Sequence, residues 1–352
     1  MTHSTPELTR RGLFGAALGL GALLAVGCSA PGETPAPAAP PTAGFPVTLP
    51  HAFGATTLDR APTRVVLVGF KEQDYFLALG TVPVGIREWF GSKPNAVWPW
   101  AQHLLGGAQP TALPRPDIDY EQVALLRPDV IVGLSAGLTQ EQYDLLTGIA
   151  PTVAQPSAAG DWSISWQEMT RTAGAILGKS ADAEKLVGDL EARIAAARRA
   201  NPAFEGATTV LASTTDGQVY LYGPGATGAQ VLASLGMRVP DEITRLTDNP
   251  DAYHLLSPER FDLTNVDLAV WSEAVTDDGP KALLANPLYV NQPVHREGRD
   301  LFLGLDLYNG ALVFSSVLSL PMVLDELVPQ FAAALDGNPA TRAPLGPPLG
   351  PA

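Results

Sequence analysis

Six short β-branched or aliphatic runs, each closed by turn formers, punctuate the chain at 64–68, 83–86, 130–132, 208–212, 268–271 and 301–303. They predict strands, and the helical stretches alternating with them imply parallel sheets in an α/β fold. Between the third and fourth runs, Ala183, Leu186, Val187, Leu190, Ile194 and Ala197 recur at helical spacing. Ser180 is the expected cap of that helix, with Asp182 and Glu184 in its first turn, Arg198 and Arg199 in its last, and Pro202 to end it. With 166–177 before it, the pattern predicts a mostly helical connector of about 35 residues, stiffer than a hinge of strands, so any lobe closure is expected to be small.

The halves on either side of this connector echo one another. Ala78-Leu79-Gly80 leads to Val82-Pro83 as Ser234-Leu235-Gly236 leads to Val239-Pro240. Glu121 precedes Asp129 by eight residues and Glu259 precedes Asp267 by eight, each aspartate opening an apolar strand. The common order predicts two lobes of related topology.

The ends of the chain have a different composition. Thr9-Arg10-Arg11-Gly12-Leu13-Phe14 precedes a run rich in Gly, Ala and Leu that closes on Gly27-Cys28, too short and glycine-rich for a membrane span. It reads as a twin-arginine export signal over 1–27 with a lipid attachment point. Cys28 is the one cysteine, so a disulfide framework is excluded, and its position resembles a bacterial lipobox. Residues 28–50, rich in Pro and Ala, read as a tether, 51–165 as the N-terminal lobe, 166–201 as connecting helices, 202–336 as the C-terminal lobe and 337–352 as a frayed tail. The net charge of −14 becomes one unit more negative once the signal, with Arg10 and Arg11 against Glu7, is removed. So acidic a body argues against nucleic acid as a partner, whereas acyl anchoring through Cys28 does not depend on charge.

Four phrases in order, Leu126-Arg127-Pro128-Asp129-Val130-Ile131-Val132, Ala150-Pro151-Thr152-Val153, Leu256-Ser257-Pro258-Glu259-Arg260 and the stretch 318–329, resemble the substrate-binding lipoproteins of ABC importers for ferric siderophores, haem and cobalamin. The resemblance covers roughly 50–335. It implies a class III-type substrate-binding protein, with two lobes of mostly parallel sheets flanked by helices and joined by a long backbone helix. It further implies no catalysis, a monomer at the outer face of the cytoplasmic membrane, and delivery of a ferric siderophore to a permease dimer. No cofactor is expected, because iron arrives already chelated.

A bulky, often anionic chelate calls for aromatic faces and a guanidinium in the cleft. Arg87 and Trp89 follow a predicted strand, where loops of an open α/β sheet face the crevice, and an arginine in this loop often meets the chelate in the family. Trp98 and Trp100 flank Pro99 in a loop, Tyr222 ends a strand before Gly223-Pro224-Gly225, Trp271 ends another, and Tyr308 lies in a loop; all five are candidate ligand contacts. Glu121 and Glu259, at matched places in the two halves, are the residues the resemblance implies for docking onto permease arginines.

Two other chemistries compete. Gly133-Leu134-Ser135-Ala136-Gly137 matches a nucleophile elbow, with His254 or His295 as base and Asp267 as its orienter, but no His-Gly-Gly precedes it to form an oxyanion loop. A direct zinc or manganese site is disfavoured, since His51, His103, His254 and His295 are not paired at helical spacing. Within the resemblance, haem remains an alternative cargo with Tyr222, Tyr308 or His254 as axial ligand, and cobalamin another.

Overall fold

The folded chain begins inside the expected tether. In the computed structural model, which describes residues 44–156, 164–215, 218–246, 253–272, 279–304, 307–338 and 341, Phe45 is already buried. Strand β1 (Val47–His51) pairs antiparallel with β2 (Gly54–Leu58). Leu49 and His51 point inward while Thr48 and Pro50 point out, an alternation hidden in the proline-rich composition. Ala52 N donates to Gln155 O at 2.8 Å and Thr56 Oγ1 to Thr152 O at 2.5 Å, so the ribbon is sewn to the N-terminal lobe. The assignment of 28–50 as tether is corrected accordingly; its earlier part, the signal and Cys28 lie outside the described residues.

The N-terminal lobe is built on β3 (Val65–Leu67), β4 (Gly85–Arg87), β5 (Thr111–Leu113), β6 (Val130–Gly133) and β7 (Thr152–Ala154), all parallel in the order β5-β4-β3-β6-β7. Every residue of β3 and β6 is buried, as a parallel sheet covered on both faces requires. Helices α1 (Gln73–Ala78), α2 (Tyr120–Leu125) and α3 (Gln140–Thr147) make the crossovers.

The connector matches its sequence pattern closely. Ser165 caps α4 (Trp166–Leu177) by accepting from Glu168 N at 3.1 Å, and Gly178, at φ 67°, ends it. The next helix, α5 (Ser180–Ala200), has Ser180 as its first residue and not as its cap; Lys179 precedes it and makes no side-chain cap. Ala183, Val187, Leu190 and Ile194 are its buried stripe. A methyl group on Gly174 would meet Ala183 Cβ at 2.5 Å, so α4 and α5 approach as closely as only glycine permits.

In the C-terminal lobe, β8 (Thr209–Thr215), β9 (Gln218–Tyr222), β10 (Tyr253–Leu256), β11 (Leu268–Trp271) and β12 (Asp300–Phe302) order as β10-β9-β8-β11-β12. Strands β8, β11 and β12 are parallel, but β9 runs antiparallel to both neighbours, so this sheet is mixed. Helix α6 (Thr227–Ser234) lies on its inner face. The short α7 (Asp241–Thr244), α8 (Gly279–Leu284), α9 (Pro287–Val290) and α10 (Pro293–Arg296) lead to β12, and α11 (Leu307–Phe314), α12 (Leu320–Met322) and α13 (Val328–Ala334) complete the lobe.

The predicted echo has a physical counterpart. Asp129 accepts from Thr63 N at 2.7 Å and Arg64 N at 2.8 Å; Asp267 accepts from Thr208 N at 2.8 Å. Each aspartate thus ties the entry of one central strand to the entry of its parallel neighbour. Burial works against both charges, yet these amide bonds outweigh it and hold both carboxyls below the usual range.

Candidate ligand-binding cleft

Parallel strands deliver side chains to their carboxyl edge, and in the N-terminal lobe that edge is charged and aromatic. Phe70, Lys71 and Glu72 follow β3, Arg87, Trp89 and Phe90 end or follow β4, and Ser135 follows β6. Arg87 is 6% exposed. Its Nη1 donates to Val68 O at 3.0 Å, its Nη2 donates to Pro116 O, and its guanidinium lies 4.2 Å from the centre of the Phe70 ring. Nε is buried with no partner among the described residues. Burial, opposed by the charges of Glu72 and Asp117, draws the Arg87 pKa down from its ordinary value. The guanidinium is therefore a strut tying the loops of the edge together, with the Nε–H left without a partner among the described residues.

Glu72 folds back on the same edge, accepting from Ser135 N at 2.8 Å and Ser135 Oγ at 3.1 Å. It passes so close to the main chain that a Cβ on Gly69 would sit 1.7 Å from Oε1, so the carboxylate occupies the place of a side chain there. Burial raises its pKa. Lys71, 1% exposed, is lowered to about 8, mainly by burial and against the pull of Glu72.

The four candidate tryptophans separate into two kinds. Trp89 is half-buried, with Phe90 at 4.8 Å and Phe314 at 5.1 Å between ring centres. Trp98, expected as a loop stacking platform, is 2% exposed and stacks on Trp100 at 5.0 Å, closing a box around Phe314 with Trp89 and Phe90. That expectation is corrected: Trp98 is enclosed by Phe90, Trp100 and Phe314, and the pair of rings forms the junction between the lobes. Trp100 is half-buried and donates from Nε1 to Asp74 Oδ2 at 2.8 Å. Trp271, expected at the cleft, is likewise corrected. It is 1% exposed in the outer core of the C-terminal lobe, stacked on Phe302 and donating to Tyr289 OH at 2.7 Å.

Tyr222 is half-buried against the inner core, and burial raises its pKa despite a bond with Ser213. It does not mark the carboxyl edge, because β9 runs away from that edge. The register Trp271↔Ala212, Ser213↔Tyr220 and Tyr220↔Leu255 puts Tyr220 and Leu255 one step beyond the end of β11. Tyr220, Tyr222, Tyr253 and Leu255 share one face of β9 and β10, with Tyr220 and Tyr253 edge to face at 5.3 Å. Tyr253 and Leu255 are 64% and 48% exposed, an unspent apolar surface that sequence reading missed. Tyr308 is half-buried at the start of α11.

Glu121 and Glu259 are both exposed, each in the first turn of a helix, α2 in one lobe and the 3₁₀ turn Pro258–Thr264 in the other. Neither has an ion-pair partner among the described residues. The nucleophile-elbow alternative does not assemble: the Ser135 hydroxyl is buried on Glu72, His295 bonds Asp300 at 2.7 Å, and Asp267 is spent on Thr208. His254 lies on β10, in the other lobe.

Two related α/β lobes joined by a pair of packed helices, with an aromatic and cationic carboxyl edge in the N-terminal lobe, define a two-lobed binding protein. The chain belongs to the periplasmic binding protein family, whose model matches residues 72–303. A periplasmic solute binding protein from Mycobacterium smegmatis superposes with a TM-score of 0.73 at 33% identity, covering 82% of this chain and 98% of its own. PiaA from Streptococcus pneumoniae in complex with ferrichrome gives 0.69 at 25% identity, over 83% and 99%. The probable siderophore-binding lipoprotein YfiY of Bacillus subtilis is 27% identical over 205 residues, which is 56% of this chain and 59% of YfiY, so the chain spans little more than half of that relative.

Proposed function

We propose that this protein is the extracytoplasmic substrate-binding component of an ABC importer and captures a ferric siderophore. The observation that carries the reading is the N-terminal edge: a buried guanidinium with its Nε–H unspent, framed by Phe70, Trp89 and Phe90. A cation held in place and flat apolar faces suit a rigid chelate that bears oxygen charge. The exposed Tyr253 and Leu255, with the half-buried Tyr220 against Tyr253, supply the opposite wall with a phenol donor and apolar area. Cys28 anchors the mature chain by lipid, and Glu121 and Glu259 dock onto a permease dimer, one in each lobe.

The cargo favoured is a neutral or weakly anionic hydroxamate complex, because Arg87 divides its charge between two main-chain carbonyls. Calorimetric titration of the purified protein with ferrichrome, ferric enterobactin, haem and cobalamin tests this. Submicromolar binding of a ferric siderophore supports it; binding of haem or cobalamin alone overturns the cargo, and silence towards all four overturns the reading.

A further inference from the structure

Helix α11 is fastened to both lobes. On its own side, Asn309 Oδ1 accepts from Ser272 Oγ just past β11. Towards the N-terminal lobe, Gly310 lies where a Cβ would meet the Trp98 ring at 2.5 Å, and Phe314, with no exposed surface, fills the box of Trp89, Phe90, Trp98 and Trp100. Two residues on, Ser316 Oγ donates to Asp74 Oδ2, the oxygen that also accepts from Trp100 Nε1 at 2.8 Å. Asp74 is fully buried, and its Oδ1 has no partner among the described residues.

A buried carboxylate without a paired cation is costly, and an apolar side chain would fill the place more cheaply. What the carboxylate adds is direction, since it pins one group from each lobe to a single oxygen. We propose that Asp74 is a positioning residue for ligand capture: by holding Ser316 and Trp100 it seats Phe314, and Phe314 sets Trp89 and Phe90 against the bound chelate. The inference rests on the reading of the cleft given above.

The same arrangement makes the seat respond to acidity. On its own segment Asp74 acts on the buried phenol of Tyr75, whose pKa is raised by burial and by the charges of Asp74 and Glu72, and Lys71 and Glu72 are buried just before it; the packed elements face it with the neutral Trp100 and Ser316. Glu168 and Arg171 of α4 and His103 of the neighbouring turn are exposed. Burial, partly offset by the bonds from Ser316 and Trp100, raises Asp74 to about 6. If the junction loosens and water enters, the carboxyl returns towards about 3.9. The seated form therefore holds its proton more tightly, so seating is fully favoured in acid and weakens as pH rises through about 6. From about pH 5.5 to pH 8 that linkage amounts to roughly a fourfold change in the seating equilibrium.

Near-ultraviolet circular dichroism of the ligand-free protein, and its titration with ferrichrome and ferric citrate at both pH values, test the proposal in wild type, Asp74→Asn and Ser316→Ala. Asp74→Asn keeps an acceptor for both donors without charge, so it retains the aromatic signal and loses the fourfold pH response. Ser316→Ala weakens the aromatic signal and the affinity several-fold. An Asp74→Asn profile that follows wild type with pH, or a Ser316→Ala signal and affinity equal to wild type, overturns the inference. If wild type binds neither these two chelates nor the others named for the functional reading, that reading fails, and the ligand-free dichroism decides the role of Asp74 by itself.

Discussion

Strands β4 and β9 occupy the same place beside the central strand of their sheets, yet they run in opposite directions. The first arrives through the crossover helix α1 and brings its last residue, Arg87, to the carboxyl edge. The second returns directly from β8 and brings its early residues there instead, leaving Tyr222 a step behind Tyr220. One reversal gives the cleft two unlike walls. The N-terminal wall is charged, tied by main-chain carbonyls and packed against the junction. The C-terminal wall is neutral, phenolic and partly uncovered.

If the N-terminal wall is a packed unit, Phe314→Ala, which empties the box between the lobes, costs about 4 kcal/mol, read by chemical denaturation. Arg87→Ala follows at about 3 kcal/mol, because two carbonyls and the Phe70 face lose a charged partner, and chelate binding is lost with it. Arg87→Lys, unable to span both carbonyls, restores neither. The edge aspartates sharpen the likeness between lobes: Asp129→Asn and Asp267→Asn each cost about 1–2 kcal/mol, and unequal losses would break the equivalence. Both carboxyls sit below their usual range when folded, so their contribution is present above about pH 4 and is lost as pH falls through the lowered value. The smallest change in stability belongs to the open wall. Tyr253→Ser alters it by less than about 0.5 kcal/mol while weakening ferric chelate binding several-fold, whereas Trp271→Phe leaves affinity unchanged and costs about 2 kcal/mol.

Much of the scaffold was legible before any coordinates. All six apolar runs became strands, and the helical stripe of α5 buried Ala183, Val187, Leu190 and Ile194 of the six residues its spacing named, with Leu186 and Ala197 partly covered. The reversal of β9 was missed, and with it the place of Tyr222, although Asp216-Gly217 between two β-rich runs is a hairpin signal that outweighs the rule for parallel strands. The site was harder to read, for reasons of covering. Nothing in the neighbourhood of Trp271 announces that Tyr289 and Phe302, distant in sequence, will enclose it. Asp74 looks like an ordinary acidic residue in the first turn of a helix, where the dipole welcomes it, and only tertiary contact shows it buried. Phe314 belongs to an apolar helix with no polar mark to distinguish a junction from a core.

The inner core does not stop at the boundary of either lobe. It runs from Ile86 and Val132 through Met169 and Leu190 to Leu211, Val270 and Leu327 in one connected cluster. Two lobes by shape are thus a single unit in thermodynamic terms. Each lobe has an outer core of its own, but the larger inner cluster is shared between them, so calorimetry should record one transition in which van't Hoff and calorimetric enthalpies agree. A lesion in either lobe then lowers the folded population of both.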